Sequence, residues 1–199
     1  MVRLAITGGI GSGKSVVARM LGAMGVPVYD CDSRAKSLMV SDARIVRELK
    51  RMFGPECYDE SGALNRAYLA SRIFIDSDNV KRVNALVHPV VKSDFQRWAS
   101  MQSCDVVAVE TALLYESGIV DVVDKALVVW CDKETAIART MTRSGMSRQQ
   151  VLNRMQKQIP VEDLLLLSDY SICNNGNEPV LPELHSLLEK LRLSDKTGL

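Results

Sequence analysis

Several signals are missing from this sequence of 199 residues, and each absence excludes a class of protein. Only two histidines occur and the five cysteines form no CxxC pair, so we do not expect a zinc site. No apolar run approaches the roughly 20 residues that a membrane-spanning helix requires. The 25 basic residues nearly balance the 24 acidic ones, which argues against a protein that mainly coats nucleic acid. We therefore expect no membrane and no nucleic acid as a partner.

Targeting signals and linkers are also missing. The chain starts with MVRLAITGG, whose short apolar run ends in glycines, so we do not expect a signal peptide. An odd and scattered set of cysteines in such a chain is typical of reduced thiols and predicts a cytoplasmic location. The length suffices for one hydrophobic core, and we find no repeats or linker-like segments. We therefore expect a single domain over residues 1–199.

The first 30 residues predict a strand, a glycine-rich loop, a helix and a second strand. Val2–Thr7 has the pattern of a strand, Ser15–Met24 carries apolar residues at helical spacing, and Val26–Tyr29 is the second strand. Such a βαβ unit indicates an α/β fold with a parallel sheet. Three later apolar runs are further strand candidates: Asp105–Glu110, Lys125–Cys131 and Tyr170–Cys173.

About 75 residues without a clear strand separate the second and third strands. We interpret this segment as a helical insertion, with helices at Asp42–Phe53, Arg66–Phe74, Asn79–Val87 and Val90–Met101. Later in the chain we predict an arginine-rich helical hairpin and a final helix, at Lys133–Arg143, Ser147–Gln158 and Leu181–Leu191. Ser147 and Gln150 fit a capping box at the start of the second hairpin helix.

Residues 8–15 have the sequence GGIGSGKS and match the phosphate-loop pattern GxxxxGK[ST] in full. The motif follows a predicted strand and opens a predicted helix, as a phosphate-binding loop requires. Its glycines let main-chain N–H groups curve around phosphate oxygens, and the helix N-terminus adds partial positive charge. Lys14 would reach the β- and γ-phosphates of a nucleoside triphosphate, and the Ser15 hydroxyl would bind Mg²⁺.

A phosphate loop does not by itself define the reaction. The chain lacks the NKxD-type motif that reads guanine in GTPases. A short chain with a helical insertion and an arginine-rich hairpin fits a small-molecule kinase, in which the insertion holds an acceptor and the hairpin closes as a water-excluding lid. A nucleoside monophosphate kinase and a regulatory protein that binds nucleotide without transferring phosphate are alternatives at this point.

Two aspartates end the second strand in the stretch VYDCDSR at 28–34. Loops that leave the first strands of a parallel sheet lie beside the phosphate loop. Asp32 is therefore either the carboxylate that accepts or orients the proton of an acceptor hydroxyl, or the cap of a helix that begins near Ser33. Asp30 is either a support for Asp32 and the water shell of the metal, or a structural residue.

The sequence resembles the dephospho-CoA kinase family over nearly its whole length. The shared segments are TGGIGSGKS at 7–15, DCD at 30–32, DESGALNR at 59–66, NALVHPVV at 84–91, LLYESG at 113–118, the helix with Arg139 and Arg143, and DYSICNNG at 169–176. The resemblance implies transfer of the ATP γ-phosphoryl group to the ribose 3′-hydroxyl of dephospho-CoA, the last step of coenzyme A synthesis.

The resemblance also implies an architecture. The expected fold is a three-layer P-loop kinase fold with a five-stranded parallel sheet, similar to nucleoside monophosphate kinases. Its nucleotide-binding core would cover residues of about 1–40 and 105–199, its helical acceptor-binding insertion about 41–104 and its lid about 139–160. We expect ATP and Mg²⁺ as cofactors, dephospho-CoA as the small-molecule substrate, and a monomer or small homo-oligomer.

The resemblance finally implies a role for each matching residue. Lys14, Asp32 and Arg139 are the catalytic candidates, with Arg139 placed on the transferring phosphoryl group, and Ser15 is the metal ligand. The nucleotide-binding candidates are Gly9, Gly11, Ser12, Gly13, Lys14, Ser15, Val16, Arg143, Asn175 and Gly176. The acceptor-binding candidates are Asp32, Arg66, His88, Pro89 and Leu113. Simpler interpretations stay open for some of these residues: a structural histidine at 88, solvated arginines at 139 and 143, and an Asn-Gly turn at 175–176.

Overall fold

The computed structural model describes residues 1–73 and 75–197, and its centre is a parallel sheet. The strands lie in the order β2-β3-β1-β4-β5, and every neighbouring pair is parallel. Their bounds are Val2–Thr7 for β1, Val28–Asp30 for β2, Val106–Glu110 for β3, Lys125–Trp130 for β4 and Tyr170–Cys173 for β5. The prediction of a five-stranded parallel sheet is confirmed, and each strand begins and ends within two residues of its predicted bounds.

Helices cover both faces of this sheet. Successive residues of a strand point to opposite faces, and in β1 Leu4 and Ile6 join one core while Ala5 joins the other. Helices α1 (Lys14–Ala23) and α9 (Val180–Thr197) pack on the first face. The opposite face is covered by helices of the segment between β2 and β3. The strands are therefore apolar almost throughout because water reaches neither face.

The segment between β2 and β3 is helical, as predicted: the expected helices at 42–53 and 66–74 are found, one further helix was not predicted, and the last two expected helices form one. The observed helices are α2 (Cys31–Ser41), α3 (Ala43–Phe53), α4 (Arg66–Ile73) and α5 (Ser77–Ser100), with a 3₁₀ helix at Pro55–Cys57. The helical segment begins at Cys31, about ten residues before the expected start of the insertion. Phe74, the predicted last residue of the second helix, lies outside the described residues.

The separate helices predicted at 79–87 and 90–101 are wrong, because α5 runs through Pro89 without a break. Proline removes one N–H and clashes with the carbonyl four residues earlier. Pro89 and Ala85 are both exposed, so water can reach that carbonyl. The opposite stripe of α5, which includes Val83, Val87 and Phe95, is buried and holds the helix against the sheet layer. Burial of this stripe therefore outweighs the local cost of proline.

The hairpin after β4 consists of α6 (Lys133–Ser144) and α7 (Arg148–Met155). The predicted capping box is confirmed, since Ser147 and Gln150 bond reciprocally at the start of α7. Arg148 also donates two hydrogen bonds of 2.7 Å to Glu134 and joins the two helices. A further helix, α8 (Val161–Leu167), precedes β5 and escaped prediction. Of the described helices, none combines the length and apolar character needed to cross a membrane.

Candidate functional site

The phosphate loop, residues 8–15, connects β1 to α1, and two of its glycines are required by both conformation and space. Gly11 and Gly13 have φ values of 79° and 95°, which side chains rarely adopt. A Cβ at Gly11 would lie 2.3 Å from the Ala136 carbonyl oxygen, and one at Gly13 would lie 2.1 Å from Asn174 Nδ2. The loop is thus pressed between the start of α6 and the end of β5.

Lys14 is held over this loop by main-chain carbonyls. Its Nζ donates hydrogen bonds of 2.8 Å to the Gly8 carbonyl and 3.1 Å to the Gly9 carbonyl. Burial lowers the pKa of Lys14, although the carboxylates of Glu110 and Asp32 act against this shift. An anion bound in the loop would favour the charged form of Lys14, because opposite charges at short range stabilise ionisation. The site is therefore electrostatically suited to phosphate.

Ser15 and Glu110 place a hydroxyl and a carboxylate side by side. The Ser15 Oγ donates to Glu110 Oε1 over 2.8 Å, and Glu110 is the last residue of β3, the neighbour of β1. Oxygen donors of this kind suit Mg²⁺, which usually keeps several waters and takes further ligands from nucleotide phosphates. Within residues 1–73 and 75–197 no three His, Cys, Asp or Glu form a group that could hold a metal. The pair Ser15–Glu110 therefore fits an ion shared with a nucleotide rather than one caged by protein.

The two aspartates of the DCD stretch have different environments. Asp30 caps α2, since its carboxylate accepts from the Ser33 N–H at 3.1 Å and from the Ser33 hydroxyl at 2.5 Å. The alternative that Asp32 caps a helix beginning near Ser33 is therefore wrong, because the helix begins at Cys31 and its cap is Asp30. Asp32 lies in the first turn of α2 and lines the cleft beside the phosphate loop.

This main cleft has a volume of about 820 Å³ and is lined by both cations and carboxylates. The carboxylates that line it are Asp30, Asp32 and Glu110. Basic side chains of the hairpin and the turn after α7 line the cleft as well: Arg143, Arg154 and Lys157. Of the predicted site residues, the cleft brings together Gly11, Gly13, Lys14, Ser15, Val16, Asp32, Leu113 and Arg143. Gly9 and Ser12 belong to the same loop, where Ser12 is buried.

The end of the hairpin also touches the phosphate loop directly. The Gln158 side-chain oxygen accepts a hydrogen bond of 2.8 Å from the Ile10 main-chain N–H. Gln158 follows α7 in sequence, and it lines the same cleft as Arg154 and Lys157. The position of the hairpin and the shape of the loop are therefore coupled.

Arg139, Asn175 and Gly176 gather at the carboxyl end of β5, away from the lining of the main cleft. Arg139 Nη1 donates to the Asn174 carbonyl over 2.6 Å, and a Cβ at Gly176 would lie 3.4 Å from Arg139 Nη2. The Asn175 side-chain oxygen accepts from the Asp132 N–H at 2.8 Å. Of the two arginines of α6 predicted for the site, Arg143, one turn after Arg139, is the one that lines the main cleft.

The predicted acceptor residues divide into two groups. His88 and Leu113 line a smaller pocket that also contains Asp32. Burial lowers the pKa of His88, although its hydrogen bond to the Glu116 main chain acts in the opposite direction. Arg66, at the start of α4, and Pro89, on α5, are both exposed and line neither this pocket nor the main cleft.

Sequence reasoning missed three residues at the site: Glu110, Asn174 and Gln158. Glu110 ends the strand beside β1, so the rule that parallel strands release their ends at one edge could have found it. Asn174 Nδ2 donates to the Ser12 carbonyl over 2.9 Å, a contact that joins β5 to the phosphate loop. No local signal in the sequence indicates this contact or that of Gln158, because in each contact the two residues lie about 150 positions apart in the chain.

We expect Asn174→Asp to raise the KM for ATP about tenfold, which corresponds to the loss of one hydrogen bond in a buried setting. The aspartate cannot donate to the Ser12 carbonyl, and its negative charge would repel phosphate. Asn175→Asp is the matched control, since Asn175 accepts rather than donates and a carboxylate keeps that bond. Steady-state kinetics with varied ATP compare the variants. An equal increase of the KM for ATP in Asn174→Asp and Asn175→Asp would contradict a specific role for Asn174.

Asp94 fixes the helix that carries Asp32. Its buried carboxylate accepts from the Tyr29 hydroxyl at 2.6 Å and from Arg34 of α2 at 2.7 and 2.9 Å. Burial raises the pKa of Asp94, but the hydrogen bonds from Tyr29 and Arg34 outweigh it, so the pKa is lowered overall. The contacts join β2, α2 and α5 and hold Asp32 at the edge of the cleft.

We expect Asp94→Asn to lower the free energy of unfolding at pH 7 by about 2 kcal/mol, the scale of hydrogen bonds to a charged group. A carboxyl group whose pKa is lower in the folded state than in the unfolded state stabilises the fold. This contribution is fully present above the unfolded pKa of about 3.9 and is lost as the pH falls through the folded-state pKa. The difference between wild type and variant should therefore shrink below about pH 4. Denaturant unfolding at several pH values measures it. The exposed Asp78→Asn is the control, and a pH-independent difference would contradict the charge-based explanation.

Comparisons with known proteins agree with this arrangement. The dephospho-CoA kinase family model matches residues 2–179. A dephospho-CoA kinase of Bacteroides fragilis strain YCH46 is 37% identical over 188 residues, which cover 94% of this chain and 91% of the relative. A dephospho-CoA kinase of Porphyromonas gingivalis is 37% identical over 193 residues, with 96% and 95% covered.

Solved structures show the same fold. The crystal structure of a Thermus thermophilus protein, TT1252, is 35% identical and superposes with a TM-score of 0.82 over 96% of this chain and 97% of that chain. A dephospho-CoA kinase from Campylobacter jejuni, 20% identical, gives a TM-score of 0.71, with 99% and 98% covered. A shikimate kinase from Bacteroides thetaiotaomicron, 15% identical, gives 0.54 over 94% and 98%, so the fold is that of P-loop kinases. Given the match over most of its length, the chain belongs to the dephospho-CoA kinase family.

Proposed function

We propose that the chain transfers the γ-phosphoryl group of ATP to the ribose 3′-hydroxyl of dephospho-CoA and releases coenzyme A and ADP. One observation carries the proposal: a single cleft joins the phosphate-loop lysine, a carboxylate that has no capping role, and the cations of the hairpin. In a member of this family, these are the groups that a phosphoryl transfer to an alcohol needs.

Negative charge on the transferring group is met by the cations of the cleft. Lys14 binds the β- and γ-phosphates, and Arg143, Arg154 and Lys157 approach from the hairpin side. Charge spreads over the equatorial oxygens in the transition state, so fixed cations stabilise it more than the ground state. Arg139 supports the loop after β5, because its Nη1 donates to the Asn174 carbonyl, and its remaining N–H groups are the ones left for the transferring group.

Asp32 acts on the acceptor hydroxyl. A ribose hydroxyl is a poor nucleophile, and a carboxylate within hydrogen-bond distance accepts its proton as the oxygen attacks phosphorus. Ser15 and Glu110 would hold Mg²⁺ together with the nucleotide phosphates, and that ion supplies charge neutralisation there. The hairpin, coupled to the loop through Gln158, excludes water and so prevents transfer of the phosphoryl group to water. The monomer or small homo-oligomer and the cytoplasmic location stay predictions.

Parallel assays with three acceptors test the proposed function. Dephospho-CoA, AMP and CMP are each offered with ATP and Mg²⁺, and ADP formation is followed. Of the three acceptors, we expect only dephospho-CoA to be phosphorylated efficiently. Efficient phosphorylation of a monophosphate but not of dephospho-CoA would identify a nucleoside monophosphate kinase. ADP formation that does not rise with any acceptor would indicate a regulatory nucleotide-binding protein.

A further inference from the structure

One peptide unit of the phosphate loop is bonded on both of its sides to side chains of the site. The carbonyl of Gly9 accepts a hydrogen bond of 3.1 Å from Lys14 Nζ. The N–H of Ile10, which belongs to the same peptide unit, donates over 2.8 Å to Gln158 Oε1. A trans peptide unit is planar, and its N–H and C=O point in opposite directions. Lys14 and Gln158 are therefore joined through one rigid group.

The orientation of this peptide unit depends on its hydrogen bonds. Gly9 has no Cβ and tolerates a wide range of main-chain angles, so its own conformational preference does not fix the unit. On the carbonyl side, Gly9 also accepts a long bond of 3.3 Å from the Ser12 N–H. On the N–H side, Gln158 is the acceptor. Loss of that acceptor would let the unit rotate about its flanking bonds, and the carbonyl that holds Lys14 would turn with it.

Gln158 reaches the loop from a fixed turn at the end of the hairpin. Its main-chain N–H donates over 3.0 Å to the carbonyl of Met155, the last residue of α7, and the residue is half-buried. The pair Arg148–Glu134 ties α7 to α6. A side chain on such a turn has less freedom to lose when it bonds to the loop, so the contact is preorganised.

We propose that Gln158 is a positioning residue that places Lys14 for phosphoryl transfer through the peptide unit of Gly9 and Ile10. Lys14 is the group that meets the β- and γ-phosphates, and a catalytic group misplaced by about 1 Å costs roughly 10² in rate. By bonding to the loop, the last turn of the hairpin also sets the position of this ammonium. The inference rests on the proposed function and deepens it by naming the residue that links the hairpin to the lysine.

The first experiment is a double-mutant cycle between positions 158 and 14, with kcat for dephospho-CoA as the measured quantity. Gln158→Leu removes the acceptor and keeps a side chain of similar bulk. We expect it to lower kcat about tenfold in the wild-type background, the scale of one hydrogen bond and a misplaced charge. In the Lys14→Met background the ammonium is already gone, so the same substitution should lower kcat further by less than about threefold.

Gln156→Leu is the matched control for this cycle. Gln156 precedes Gln158 by two positions, is exposed and lies outside the lining of the main cleft. We expect it to leave kcat within about twofold in both backgrounds, because surface substitutions away from specific contacts change little. Thermal unfolding of each variant shows whether it is folded.

The second experiment measures the contact itself in the chain without nucleotide. Amide hydrogen exchange at Ile10 reports whether its N–H is bonded. Gln158→Leu should speed this exchange about tenfold, the scale of one lost hydrogen bond. Gln158→Glu should keep the exchange slow, because a carboxylate oxygen accepts from the N–H as the carboxamide oxygen does. A general loosening of the hairpin would not distinguish these two variants.

The third experiment repeats the cycle on nucleotide binding without any acceptor. Calorimetry with a non-hydrolysable ATP analogue and Mg²⁺ gives the Kd. We expect Gln158→Leu to raise this Kd about fivefold in the wild-type background, within the range of one hydrogen bond. In the Lys14→Met background the increase should be less than about twofold.

The outcomes separate the role of Gln158 from the proposed function. Equal losses of kcat, or equal increases of Kd, in both backgrounds would mean that Gln158 acts without Lys14 and would overturn the inference. Equal exchange rates at Ile10 in Gln158→Leu and the wild type would overturn it as well. Failure of the wild-type chain to phosphorylate dephospho-CoA would overturn the proposed function instead, and the binding cycle would still decide whether Gln158 acts through Lys14.

Discussion

Replacing Lys14 with methionine is expected to lower kcat by about 10²–10³, the loss seen when one preorganised donor to a charged transition state is removed. Methionine keeps the length of the side chain and removes its charge. In the folded chain the Lys14 ammonium lies over the loop carbonyls of Gly8 and Gly9, where phosphates would bind. Because charge on the phosphoryl oxygens grows and spreads during transfer, the loss should fall on kcat as well as on the KM for ATP.

Rapid-quench or steady-state kinetics with dephospho-CoA measure this effect, and thermal unfolding shows whether the variant is folded. Lys81→Met is the matched control, since Lys81 is exposed and pairs with Asp78 on the surface of α5. A decrease of less than about threefold in kcat for Lys14→Met would place the transferred phosphate elsewhere, since a catalytic charge contributes far more than that.

Asp32→Asn is expected to lower kcat by about 10² or more, the contribution of a positioned general base. The amide keeps the size of the side chain but cannot accept the hydroxyl proton. The free energy of unfolding should hardly change, because Asp30 and not Asp32 caps α2. Kinetics and denaturant unfolding of the same preparation measure both quantities.

The neighbouring aspartate provides a matched control for this prediction. Asp30→Asn keeps a good helix cap and should preserve both stability and most of kcat, whereas Asp30→Ala should lower stability by about 1 kcal/mol. A loss of kcat in Asp30→Asn as large as that in Asp32→Asn would mean that the two carboxylates act as one unit. An unchanged kcat in Asp32→Asn would remove Asp32 from the chemistry.

The phosphate loop could be predicted from sequence because its chemistry depends on consecutive residues. Gly13, Lys14 and Ser15 act through a turn and the start of a helix, so their spacing in the chain fixes their spacing in space. The spacing of Asp30 and Asp32 in the chain does not show which of them has which role. Their roles depend on whether α2 begins at residue 31 or 33, and the ends of helices are poorly defined by pattern alone.

Positions at strand ends and inside helices show the same limit. Asn174 contacts the phosphate loop while Asn175 bonds to Asp132, since a shift of one residue redirects a side chain at the end of a strand. Pro89 suggested a helix boundary, but buried residues on the far side of α5 keep the helix continuous. Arg139 and Arg143 share a helix, yet of the two Arg143 lines the main cleft. Arg139 instead donates a hydrogen bond to the Asn174 carbonyl after β5. Packing decides each of these cases.

The position of the transferred phosphate tests the central claim most directly. Dephospho-CoA, ATP and Mg²⁺ are incubated with the wild-type chain, and the product is examined by phosphorus NMR with coupling to the ribose protons. We predict one new phosphomonoester whose phosphorus couples to the ribose H3′, formed in step with one ADP. A phosphate on any other atom, or ADP formation no faster than with ATP alone, would contradict the account.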